Sequence, residues 1–160
     1  RFLQRVFTPA ELSEAGGRGV KSRTGIVLAR KGGVLSRILN PVRLGIGSPI
    51  GSGKQYVPWI HIDDLCNIFI KAIDDENMKG AYNAAAPQDI TNSDLMETLA
   101  HQIDKPFWFP AIPSFIMKLM FGEMAGILLE GSRISSEKLR SEGFNSRFPE
   151  LKDAIEDLLK

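Results

Sequence analysis

With 160 residues, 43% of them hydrophobic and 24% charged, the chain has an ordinary soluble composition and the length of one domain, or a large part of one, with a proper core. A formal net charge of +1 without a cluster of Lys and Arg argues against a nucleic-acid or anionic-membrane surface, since both need concentrated positive charge. The single cysteine, Cys66, cannot form an internal disulfide and suits a reducing compartment. No apolar run approaches the roughly eighteen residues of a membrane helix, and the first residues lack the zones of a signal peptide, so a cytoplasmic location is expected.

The chain opens on Arg1 in a pattern that looks like the middle of a fold, and a fragment is the expectation. Phe2, Leu3, Val6 and Phe7 have helical spacing, but Pro9 interrupts it and Gly16, Gly17 and Gly19 end it. Val20 to Leu28, VKSRTGIVL, is β-branched enough for a strand, with Thr24 and Gly25 in its second half. Gly32 and Gly33 turn the chain, and Val34 to Leu39 predicts a short helix stopped before Pro41. The glycine-rich stretch from Gly45 to Gln55 reads as a flexible lid fastened to a rigid element, a common build for a binding site. Tyr56 to Ile62 reads as extended, with Pro58 holding its first part outside the ladder.

Asp63 is then placed to cap a helix whose buried face is Leu65, Ile68, Phe69, Ala72 and Ile73, with Cys66 as a small core residue. Asn77 and Gly80 mark its end, and Ala81 to Ala85 forms a short strand. Thr91 and Asp94 make a capping box that opens a helix along Leu95, Leu99 and Ile103, closed by Pro106. Phe107 to Phe109 is at most an edge strand or a covering loop. Pro113 starts a further helix with Phe115, Ile116, Leu119 and Met120 on one side, as core packing. Ser135 caps a short helix ending at Gly143, and Pro149 opens the last one, with Leu151, Ala154, Ile155, Leu158 and Leu159 inward. Strand, helix, loop, strand, helix, strand and then mainly helices is the order of an α/β fold: the second half of an open parallel sheet, followed by a mainly helical C-terminal cap.

Two glycine patterns suggest phosphate binding, and both fail on context. Gly45, Gly47 and Gly51 resemble a dinucleotide fingerprint and Gly53-Lys54 a phosphate loop, but such loops lead directly into a helix whose N-terminus holds the phosphate. Here an extended segment follows, Ser48 stands where the phosphate loop needs glycine, and Gln55 stands where it needs a hydroxyl residue. His61 with Asp63 and Asp64 could be drawn as a metal or acid-base group. However, His61 and Asp63 share a side only if the strand continues, and capping is the better role for Asp63. His101 reads as a solvated surface residue. No His and Cys spacing fits a zinc site, and no Ser-His-Asp arrangement is defensible, so no metal is expected and the catalytic residues are unknown.

Four segments, taken in order, resemble one known family. RTGIVLARKGG at Arg23 to Gly33, GIGSPIGSGKQYVPWIHIDDL at Gly45 to Leu65, GAYNAAAP at Gly80 to Pro87 and GEMAGILLEGSRISSEKLRSEGF at Gly122 to Phe144 are similar to the YfcH-type epimerases. These form a branch of the extended short-chain dehydrogenase/reductases assigned to sugar-nucleotide chemistry, with their own C-terminal domain. The resemblance implies a Rossmann-like fold whose first half, carrying the glycine fingerprint and the acid-base group, is not in this chain. Residues 1–90 would be the C-terminal part of the NAD(P)-binding domain, and 91–160 a mainly helical substrate-side domain.

For the matching positions, the resemblance places Arg23, Thr24 and Gly25 beside the nicotinamide, at the carboxyl end of a strand where open α/β sheets bind ligands. It places Lys54 and Gln55 over the substrate, with Trp59 and His61 flanking or supporting the pocket. The implied cofactor is NAD(P), with NADP(H) ahead of NAD, and the implied substrate is a nucleotide sugar. A homodimer is among the assemblies it allows. The implied activity is epimerisation or reduction, through hydride transfer to NAD(P)+ and back. The competing expectation is a non-catalytic NAD(P)-binding scaffold or redox sensor. A chain without the first half should also expose apolar surface where the missing strands would pack.

Overall fold

The computed structural model of the chain describes residues 18–108, 110 and 131–160. The expected helices at the N-terminus and after Pro113 lie outside the described residues, as does Phe109. Among the described residues nine elements follow in order: β1 (Val20–Thr24), β2 (Ile26–Leu28), α1 (Gly33–Arg43), β3 (Trp59–His61), α2 (Ile62–Asp74), β4 (Gly80–Ala84), α3 (Asn92–Gln102), α4 (Glu137–Ser141) and α5 (Leu151–Leu159). No helix among the described residues is long and apolar enough to cross a membrane.

The expected strand from Val20 to Leu28 is two strands with different partners. β1 runs parallel to β4, with Val20 opposite Gly80 and Thr24 opposite Ala84, whereas β2 runs parallel to β3, with Ile26 opposite Trp59 and Leu28 opposite His61. The exchange occurs at Gly25, whose N–H donates to the Ala84 carbonyl at 3.1 Å while the next N–H, of Ile26, donates to Pro58 at 2.7 Å. A Cβ on residue 25 would stand 2.7 Å from the Pro58 oxygen and 2.9 Å from its carbon. Glycine is therefore required by the close approach of two backbones.

The β2–β3 pair has a core on each side, as the period of two dictates. Leu28 and Trp59 point into a cluster with Leu35, Ile38 and Val42 of α1, Leu95, Met96 and Leu99 of α3, and Leu151, Ala154, Ile155 and Leu158 of α5. Ile60 points the other way, into a cluster with Leu65 and Ile68 of α2, Tyr82 and Ala84 of β4, Leu139 of α4 and Phe144, with Val27 packed against it. Helices thus cover both faces of a parallel sheet, the expected α/β architecture.

Several local expectations are corrected. α1 does not stop before Pro41 but contains it, because burial of Leu35, Ile38 and Val42 holds the helix through the residue that lacks a donor. The cap of α2 is His61: its Nδ1 accepts the Asp63 N–H at 3.1 Å, so Asp63 is capped and does not cap. The covered arc of α2 holds Asp64, Leu65 and Ile68, while Phe69 and Ile73 are 48% and 74% exposed and Cys66 is exposed too. The Thr91 and Asp94 capping box forms in both directions. At α4 the Ser135 hydroxyl accepts the Glu137 N–H at 3.2 Å, although the cap position itself is Ser136. In α5, Leu159 is only half-buried.

Candidate functional site

The glycine-rich stretch is pinned, contrary to the flexible lid expected from its composition. Gly51 and Gly53 take positive φ, at 59° and 69°, and fold it back on the start of α3. The Asn92 carboxamide oxygen accepts the Ile50 N–H at 2.7 Å, Asn92 N–H donates to Gln55 at 2.9 Å, and Ser93 N–H donates to Gly53 at 2.9 Å. Ser48 is fully buried, and its hydroxyl donates to the Pro110 carbonyl at 2.6 Å. These bonds satisfy backbone groups that a mobile loop would leave to water.

Against this loop lies Gly131, whose Cβ would overlap the Gln55–Tyr56 backbone, 2.6 Å from the Tyr56 nitrogen. The chain then runs past Ser132 into a cleft of about 500 Å3 lined by Pro87, Asp89, Arg133, Ser135, Glu137 and Arg140, among others. One wall is the segment that leaves the carboxyl end of β4. The other is the segment that enters α4. Parallel sheets place ligand sites at such strand ends, and this volume is of ordinary ligand size.

The walls are joined and held. Arg133 Nε donates to Asp89 Oδ2 at 2.6 Å, and its guanidinium lies 5.8 Å from the Tyr56 ring centre. The bond to Asp89 raises the Arg133 pKa above its ordinary value, and the Asp89 charge adds to this. Asn83 of β4 donates its side-chain N–H to the Ser135 carbonyl at 2.8 Å, fixing the entry to α4. Between Pro87 and Asp89, the Gln88 carbonyl accepts the Trp59 indole N–H at 3.2 Å, and the Gln88 side-chain oxygen accepts the first N–H of α5, Leu151, at 2.7 Å. That oxygen satisfies one of the orphan donors at the helix start.

The residues singled out in the sequence divide around this cleft. Arg23 and Thr24 are exposed at the carboxyl end of β1, in register with Asn83 and Ala84, so that Arg23 is opposite the residue that tethers Ser135. Gly25 lies beneath, against Pro58. Lys54 is exposed on the pinned loop, and Gln55 is half-buried, donating through Nε2 to the Ile50 carbonyl at 2.8 Å. Trp59 and His61 are each 1% exposed and outside the cleft lining, and Trp59 reaches its wall through Gln88. The His61 ring lies 4.0 Å from that of Phe148, with Nε2 3.5 Å from Asp157 Oδ2.

Arg133 and Asp89, in the segments around the cleft, and Glu137 and Arg140, on the short helix α4, had no motif to mark them, because isolated charged residues normally read as solvated surface. Their signal was position: Asp89 follows the end of a strand, and Arg133 sits in the fourth matching segment. Asp63 and Asp64 form no metal group, and no cluster of three or more His, Cys, Asp or Glu able to hold a metal occurs among the described residues. Instead, Asp64 is buried and accepts the Arg147 and Phe148 backbone N–H groups at 2.8 and 3.0 Å, tying the C-terminal segment to α2.

Comparison with known proteins gives this arrangement its relatives. Residues 112–158 match a family model described as a domain of unknown function, DUF1731. The epimerase family protein SDR39U1 of Mus musculus is 40% identical over 143 residues, 89% of this chain and 48% of the mouse protein. The crystal structure of human epimerase family protein SDR39U1 (isoform 2) with NADPH is 37% identical with a TM-score of 0.83, covering 89% of this chain and 48% of that one. A nucleoside-diphosphate sugar epimerase from Corynebacterium glutamicum is 27% identical with a TM-score of 0.71, over 91% of this chain and 27% of that one. The chain spans about half the length of the SDR39U1 relatives it matches. Over about half of their length, then, the chain is homologous to the epimerase family proteins SDR39U1, and its fold matches the C-terminal half of Rossmann-like epimerases.

Proposed function

We propose that the chain supplies the substrate side of an NAD(P)-dependent enzyme that epimerises or reduces a nucleotide sugar. The observation that carries this reading is the cleft of about 500 Å3 at the carboxyl end of β4, beside the exposed end of β1. A binding site at strand ends suits an enzyme that brings two ligands together across a parallel sheet. The human relative solved with NADPH and the Corynebacterium glutamicum nucleoside-diphosphate sugar epimerase support the choice of cofactor and substrate class.

On the cofactor side, exposed Arg23 and Thr24 fit a nicotinamide nucleotide: both are polar, and both stand at the strand end where such cofactors lie. Gly25 contributes by letting the chain cross to β3. A bound nicotinamide supplies hydride removal and return. On the substrate side, residues 91–160 and the pinned loop position the sugar, with Lys54 and Gln55 as polar contacts. Trp59 and His61 act as supports outside the lining, Trp59 by holding Gln88 and His61 by starting α2. Fixed donors and acceptors of this kind accelerate a reaction by orientation, without reorganising as it proceeds.

The test uses the full-length protein. NADPH and NADH are titrated while cofactor fluorescence is followed, and a panel of nucleotide sugars is then added with the sugar resonances monitored by NMR. Cofactor binding with conversion of a nucleotide sugar is expected. Cofactor binding without turnover would instead favour a scaffold or redox sensor, and failure to bind either cofactor would overturn both.

A further inference from the structure

Among the described residues, the cleft is lined by charges of both signs in equal number. Asp89 and Glu137 stand with Arg133 and Arg140, and Ser135 and Ser136 lie between them. Their formal charges cancel. A pyrophosphate placed here would meet two carboxylates as well as two guanidiniums, and Arg133 is already engaged by Asp89 at 2.6 Å. An uncharged polyhydroxyl ring meets no such conflict, because carboxylates accept from its hydroxyls while guanidiniums and serines donate to them.

We propose that this cleft takes the glycosyl group of the nucleotide sugar and leaves the pyrophosphate outside, with Asp89 and Glu137 as the acceptors that read sugar hydroxyls. The inference rests on the nucleotide-sugar reading above and names the part of the substrate that the cleft recognises. Asp89 is prepared for this work. The bond from Arg133 uses one lone pair of Oδ2, and a carboxylate has about four acceptor positions. The Asp89 side chain remains 36% exposed. Its backbone is fixed by its neighbour Gln88, held at the carbonyl by Trp59 and at the side chain by Leu151. Glu137 opens α4, whose approach is fixed by the Asn83 bond to Ser135. Hydrogen bonds from hydroxyls to ionised carboxylates are about twice as strong as neutral ones, so two such acceptors discriminate ligands with a sugar from ligands without one.

Calorimetric titration of the full-length protein with UDP, UDP-glucose and UDP-N-acetylglucosamine tests this. The wild type should bind at least one nucleotide sugar more tightly than UDP. Asp89→Asn and Glu137→Gln should each cut that advantage on the order of tenfold while moving UDP affinity less than about twofold. Glu137 is exposed, so its variant keeps the test valid even if Asp89→Asn unfolds. Carboxylate variants that gain affinity for UDP itself would show that the cleft receives the pyrophosphate, and would overturn the proposal. An advantage unchanged in Glu137→Gln and in folded Asp89→Asn, or absent from the wild type, would overturn it too. Wild-type protein that binds none of the three ligands would instead overturn the nucleotide-sugar reading on which the proposal stands.

Discussion

Asp64 shows how one side chain can hold two distant parts of a chain together. It is 1% exposed, yet its oxygens accept N–H groups from Arg147 and Phe148, more than eighty residues away in sequence. A buried carboxylate is costly unless hydrogen-bonded, and here the bonds also satisfy backbone donors that enter the core beside α5. Asp64→Asn keeps the shape but leaves only one acceptor oxygen, so one of those N–H groups loses its partner. Loss of about 1–3 kcal/mol of stability is expected, read as a lower urea midpoint with an unchanged slope. A midpoint equal to wild type would show that the carboxamide satisfies both donors. The sequence offered Asp63 and Asp64 as a pair without showing which was buried. That depends on the phase of α2 against the sheet, and it also decides that His61, and not an acidic residue, is the cap.

At the scale of elements, what was legible was what is local. The Thr91 and Asp94 box lies within four residues and forms as the spacing requires, and the break outside the ladder at Pro58 follows from one missing donor. The phase of α2, the continuation of α1 through Pro41 and the pinning of the glycine loop are tertiary and carry no local signal. The far end of α2 makes a different, pH-dependent contribution. Lys71 Nζ lies 3.0 Å from Asp75 Oδ2, and with the Asn77 N–H it holds the Asp75 carboxyl below the ordinary carboxylate range. The folded chain therefore gives up this proton more readily than the unfolded one. The resulting stability is present above the ordinary carboxylate pKa and is lost as pH falls through the lower, folded value. Removing the partner with Lys71→Met should shrink the loss of stability between about pH 7 and about pH 3, and equal acid losses in both proteins would assign the acid sensitivity elsewhere. Both groups are at the surface, so salt should weaken the effect.

On the scale of the whole molecule, the order of elements and the parallel α/β class were readable from the succession of strand and helix patterns. The cleft was not, because residues some forty positions apart had to be brought together by β4 and the entry to α4. The same sheet leaves a consequence on its outer side. Phe69, Ile70 and Ile73, two of them expected on the buried face of α2, are 48%, 55% and 74% exposed on that helix. A stripe of this kind promotes association when nothing covers it. The double change Phe69→Glu and Ile73→Lys, an i,i+4 pair favourable on a helix surface, should lower concentration-dependent self-association of this 160-residue chain by sedimentation velocity. Unchanged sedimentation would place the association on another surface. Finally, the burial of Trp59 gives the protein an internal optical reporter. Of its two tryptophans, Trp59 is 1% exposed and bonded to Gln88 in the cleft wall, while Trp108 is 71% exposed. With Trp108 changed to Phe, indole emission would come from one site beside the cleft wall, so its wavelength would follow movement of that wall as well as unfolding of the core.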